Sequence, residues 1–142
     1  MKNHGCRKTA GFVIVITAVM SLWCTGVSAQ ELSNLSVEYG AVCEAVVDRE
    51  VKAASSSFPS GIEKLYCFTR ISGAKEPTVV THIWYYGDRE QARVELAVKS
   101  SSWRTWSSKR IGAEQTGTWH VDVVDSEGRN LETYRFDIYT QQ

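Results

Sequence analysis

The chain has 142 residues, with 16 Lys and Arg balanced by 16 Asp and Glu and 43% apolar side chains. That length is one ordinary domain, and the balance lacks the cation surplus that non-specific nucleic-acid binding requires. The exclusion strengthens at the N-terminus. There Lys2, Arg7 and Lys8 precede an apolar run from Ala10 to Trp23, and Val27-Ser28-Ala29 supplies small residues where a signal peptidase reads. The run of about 14 residues is short of the roughly 20 that span a bilayer. Residues 1–29 are therefore expected to be a cleaved secretory signal peptide, and residues 30–142 a single exported domain, periplasmic or extracellular, with no remaining transmembrane segment. Trp23 directly before Cys24 speaks against lipidation. Three cations leave with the signal, so 13 basic side chains then face 16 acidic ones.

Cys6 and Cys24 leave as well, and Cys43 and Cys67 remain. Two cysteines in an oxidising compartment are most simply one disulfide. Closing a loop of about 25 residues would add roughly 3.5 kcal/mol by the chain-entropy argument. A free catalytic thiol is the alternative.

In chain order, Val37 to Val47 alternates with period two and reads as a first strand, bent at Gly40, while Glu44 to Ala54 contains good helix formers that compete. Ala53 to Gly61 has loop composition, with Phe58 expected to tuck back against the body. Glu63 to Ile71 is a central strand apolar on both faces, with Leu65, Cys67, Thr69 and Ile71 opposite Tyr66, Phe68 and Arg70. Thr78 to Tyr86 is a third strand, leading through Gly87-Asp88 to Ala92–Val98, which turns Val94, Leu96 and Val98 inward. Ser100 to Ile111 (SSSWRTWSSKRI) is a further strand or corner. Thr118 to Val124 faces Trp119, Val121 and Val123 inward, and Asp125 to Asn130 is a hairpin turn around Gly128. Leu131 to Tyr139 closes the chain with Tyr134, Phe136 and Ile138 inward. About seven short strands with no convincing helix predict an all-β, immunoglobulin-like antiparallel sandwich.

Catalytic chemistry is hard to find. Two histidines outside the signal, His82 and His120, each lie inside an alternating strand, which is too few converging ligands for zinc. His82 shares a face with Trp84 and Tyr86, so a buried imidazole satisfied by a hydroxyl or carbonyl is favoured over a ligand. No G-x-S-x-G elbow is present. The oxygens around Gly128 lack the spacing of a calcium loop. No metal and no cofactor are expected. The dense stretch is Trp103 to Arg110: two indoles three residues apart, which strand geometry points to opposite faces, beside Arg104, Lys109 and Arg110. Such an edge could stack on a sugar ring or grip an anion, or its cations could simply pair with Glu95 and Asp122.

HIWYYGD (His82 to Asp88), VELAV, WRTWSSKRI and GTWHVDVVDSEGRNLETYRFDI together resemble the bacterial family catalogued as domain of unknown function 2914, with likeness extending upstream through Leu65–Ile71 to Ala41–Val46. The resemblance implies an extracytoplasmic β-rich domain and carries no established activity. Val51 departs from it, standing where a proline is expected. The function expected is a non-enzymatic envelope module that contacts a protein or glycan through Trp103, Arg104, Trp106, Lys109, Arg110 and His82. A hydrolase with carboxylates assembled by the fold, or a purely architectural domain, are the alternatives.

Overall fold

Nine strands and no helix form from residues 34–142, the part of the chain described by the structure, a computed structural model. The expected signal peptide, residues 1–29, and its cleavage point lie outside the described residues. The strands are β1 (Ser36–Val47), β2 (Glu50–Ala54), β3 (Ser57–Pro59), β4 (Lys64–Ser72), β5 (Thr78–Tyr86), β6 (Arg89–Val98), β7 (Ser102–Arg110), β8 (Gly117–Asp125) and β9 (Asn130–Tyr139). They make two sheets, β2-β1-β4-β7 and β3-β9-β8-β5-β6. Every pairing is antiparallel except β3 with β9. With β1, β4 and β7 as strands A, B and E, and β5, β6, β8 and β9 as C, C′, F and G, this is the order of an immunoglobulin-type sandwich.

The strand count exceeds the expected seven because residues 50–59 are extended, where sequence pattern favoured a loop or a helix. Asp48 and Arg49 have φ of 50° and 62°. Two successive positive φ values define the tight turn that matches the twist of a hairpin. That turn pairs Val47 with Glu50 and Val46 with Val51, and the β-branched residues on either side fit strand better than helix.

Inward side chains of both sheets fill the space between them. Val42, Phe58, Leu65, Cys67, Trp84, Trp119, Val121, Phe136 and Ile138 form one buried cluster, and Leu35, Ile71, Val80, Val98 and Val123 belong to a second. Phe136 sits centrally, edge-on to Phe58 and Trp84 and stacked on Trp119. Phe58 is buried as its lone aromatic character in a polar stretch suggested.

The first strand is formed, but the single face expected from its alternation, Val37, Tyr39, Ala41 and Cys43, is split by a bulge. The β1–β4 register shifts between Val37 and Tyr39, and a bulge of this kind reverses which residues face the core. Val37 packs inward. Beyond the bulge Val42 is the core residue, and Gly40 also turns inward, where a methyl group would overlap the Tyr134 ring of β9. Tyr39, Ala41 and Cys43 consequently lie on the outer face.

That phase decides the cysteines. Cys67 is opposite Val42, and Cys43 is opposite Tyr66. Residues directly across a ladder share a face, so Cys67 points into the core and Cys43 out of it. Cβ vectors that diverge cannot be bridged without moving the backbone. The expected disulfide is not formed, and both cysteines are buried free thiols.

At the far side of the second sheet, β3 is a three-residue edge. Ser60 N–H donates to the Tyr139 carbonyl and Asp137 N–H to Ser56, tying it to β9. Ser55 Oγ donates to the Ser57 carbonyl and accepts from its N–H.

Candidate functional site

The structure separates the six residues on which the sequence focused attention. His82 is fully buried between the sheets. Its Nδ1 is 2.8 Å from Ser107 Oγ and its Nε2 3.2 Å from Thr69 Oγ1. Trp84 Nε1–H donates to Ser107 Oγ, and Thr69 Oγ1–H donates to the Thr105 carbonyl. These fixed donors assign one tautomer: Ser107 donates to Nδ1, and Nε2–H donates to Thr69. Burial lowers the imidazole from 6.5 to about 4, because it strips the cation of its hydration. His82 is a satisfied core residue, and it contacts no cleft.

Alternation along β7 divides the rest. Trp103, Thr105, Ser107 and Lys109 face the core side, and Trp103 packs at the edge of the second cluster. Lys109 Nζ donates to the Arg110 carbonyl. Arg104, Trp106 and Arg110 share the outer face. Arg104 pairs with Arg70 across the ladder and Arg110 with Lys64, so these two cations stand six residues, about 20 Å, apart. The expected single patch of Arg104, Lys109 and Arg110 does not exist. Trp106 lies over Phe68, with ring centroids 6.2 Å apart and an interplanar angle of 13°.

A different set of residues gathers around Arg104. Continued straight, β1 would carry its turn past Lys64, toward the Arg110 end of the sheet. Instead Glu50, just after the turn, meets Arg104 Nη1 at 3.1 Å. The β1–β2 hairpin therefore doubles back over the outer face of its own sheet as a flap. That fold explains why the outward residues Cys43 and Phe68 are 0% and 2% exposed. Burial pushes the Cys43 thiol up, partly offset by the Lys52 and Ala45 backbone groups; Cys67 is pushed up by burial and then by Cys43.

Between flap and sheet lies a hollow of about 380 Å³ lined by Tyr39, Arg49, Glu50, Val51, Ala54, Phe68, Arg70 and Arg104. A second, of about 230 Å³, adjoins it through Arg49 and Arg104 and continues to Ser100, Ser102 and Trp103. Three guanidiniums face one carboxylate in this groove. Among the described residues Arg104 alone of the three has an ion-pair partner there. Arg70 Nε is buried without a hydrogen-bond partner among the described residues, and a desolvated charged donor left unpaired is costly. Tyr39, 46% exposed, offers an accessible ring at the mouth, 6.2 Å from Phe68.

Sequence reasoning found Arg104 and missed Arg49 and Arg70. Arg70 was readable as an outward cation directly across from Arg104. Arg49 depends on the flap, which no local pattern announces. Among the described residues no cluster of three His, Cys, Asp or Glu could hold a metal, and no helix is long and apolar enough to cross a membrane.

A profile described as "Protein of unknown function (DUF2914)" matches residues 77–138. Over those residues the chain resembles the DUF2914 family. The match includes Arg104 and Trp106 but begins after β4, so the upstream likeness through Leu65–Ile71 and Ala41–Val46, and the flap itself, lie outside the DUF2914 segment. No curated protein matches the chain. Among solved structures, it is similar to a β-glucosidase from Listeria innocua in complex with glucose, at 10% identity and a TM-score of 0.42, over 75% of this chain and 16% of that one. The same enzyme in complex with isofagomine gives 10% identity and a TM-score of 0.41, over 72% and 16%. The chain thus spans about a sixth of those proteins, and at these TM-scores the likeness carries no argument.

Proposed function

We propose that this protein is a non-enzymatic binding module of the cell envelope, exported to the periplasm or beyond, and that it engages its partner on the outer face of the first sheet beneath the β1–β2 flap. The observation that carries the reading is the convergence of Arg49, Arg70 and Arg104 on one groove, with Glu50 the single acid among its lining residues. Guanidiniums gathered on an otherwise acidic body concentrate attraction at one place.

Arg104→Ala and Trp103→Ala separate binding from folding. Arg104 is exposed, so its alanine variant is expected to keep the wild-type melting temperature and to lose retention on immobilised envelope fractions. Trp103 packs against the core, so its variant melts several degrees lower. Undiminished retention of folded Arg104→Ala would overturn this placement of the site. Export is checked by whether the secreted chain begins at Gln30.

A further inference from the structure

The groove has the features of a site for an acidic glycan, and we infer that it takes two sugar units, at least one bearing a carboxylate or phosphate, with Glu50 acting as an internal competitor for Arg104. The inference rests on the binding function proposed above and names its ligand.

Four observations select this ligand. The two hollows share Arg49 and Arg104 and so form one elongated track; a hollow of about 380 Å³ is within the range of small-ligand sites. The donors are guanidiniums, whose planar fork matches carboxylate and phosphate oxygens. Among the described residues Arg70 Nε has no hydrogen-bond partner and Arg70 lines the hollow, so an anion that draws its guanidinium outward gains a charge-assisted hydrogen bond that the free protein lacks. The two ends of the track differ. One presents the exposed Tyr39 ring, suited to stacking on a sugar face, and the other presents Ser100 and Ser102 beside Trp103, suited to hydroxyls. An acidic peptide would satisfy the arginines but leave the aromatic and hydroxyl ends without their complement.

Glu50 supplies the regulatory element. Its carboxylate is 3.1 Å from Arg104 Nη1, and the two side chains are 61% and 40% exposed. It occupies the position an acidic ligand would take, on a flap that the ligand must meet. Binding exchanges one carboxylate for another at Arg104, so the intrinsic pair weakens affinity and favours polyanions that reach Arg70 at the same time.

Calorimetric titration of the purified chain with digalacturonate, glucose 6-phosphate and neutral maltose tests this, with the first two distinguishing carboxylate from phosphate. At least one acidic sugar is expected to bind where maltose does not, and binding is expected to weaken as salt rises. Arg70→Gln is expected to weaken it by about tenfold or more, and Glu50→Gln to tighten it by up to about fivefold, the range of an exposed ion pair. Melting curves confirm that both variants fold. Equal binding of maltose, no binding of either acidic sugar, or unchanged affinity in Glu50→Gln overturns the inference. If the sugars fail while a protein partner is retained through Arg104, the binding function stands and only its ligand assignment falls.

Discussion

His82 meets only neutral partners, Ser107 and Thr69, with Trp84 and Thr105 behind them. Its folded value of about 4 lies below the ordinary 6.5 because burial disfavours the cation. Between those pH values the unfolded chain carries a proton at this position that the folded chain does not, so stability rises with pH through the window and is lost on acidification. The gap corresponds to roughly 3 kcal/mol. Urea unfolding at pH 7 and pH 4 should show the wild type losing about that much more than His82→Gln, which starts lower because the hydrogen-bond chain is broken. Equal losses in the two proteins would show that another group governs acid sensitivity. The residue's role was legible in sequence, since an imidazole on a Trp-bearing inward face needs hydroxyl partners. Which hydroxyls serve was not, because Ser107 and Thr69 come from the opposite sheet.

At the scale of the element, β1 changed the reading most. Its period-two pattern was plain, but one bulged position moved Cys43 to the face opposite Cys67. Cysteine arithmetic counts partners and is blind to phase. Thiol titration in guanidinium without reductant, on a chain beginning at Gln30 and so carrying only Cys43 and Cys67, should find two reactive groups, and the folded protein none on the same timescale, because both sulfurs are buried. Zero reactive groups after unfolding would restore the disulfide. The flap depends on its turn. Arg49 holds φ of 62°, a conformation that glycine adopts without the clash a side chain incurs. Arg49→Gly should therefore stabilise the fold by about 1 kcal/mol, seen as a melting temperature higher by about 4 to 8 °C. The same change removes one guanidinium from the groove, so binding should weaken while stability grows. A melting temperature that falls would mean that the arginine side chain stabilises the flap by more than its backbone strain costs.

For the whole molecule, the two-sheet sandwich was the easiest part to read. From β5 onward, Trp119, Val121 and Val123, then Phe136 and Ile138, alternate cleanly and are buried as the pattern requires. Before β4 the strands are irregular, and there sequence pattern under-counted them. The groove beneath the flap was half legible for the same reason. Arg70 and Arg104 lie on regular strands, whereas Arg49 and Glu50 arrive by a hairpin that reverses onto a surface formed elsewhere in the chain. Local periodicity describes what a strand presents, and it does not describe what will later be laid over it.

The short β3 forms one border of the second sheet. In its parallel pairing with β9, Phe58 and Ser60 turn their amides toward β9, leaving Ser57 and Pro59 to face outward. The Ser57 amide and carbonyl are both engaged by Ser55 Oγ, and proline has no N–H to give. A sheet recruits strands from neighbouring molecules through unoccupied edge donors, and this border offers none along its three residues. Concentrated solutions are thereby protected on that side from edge-to-edge polymerisation by a single hydroxyl and a ring.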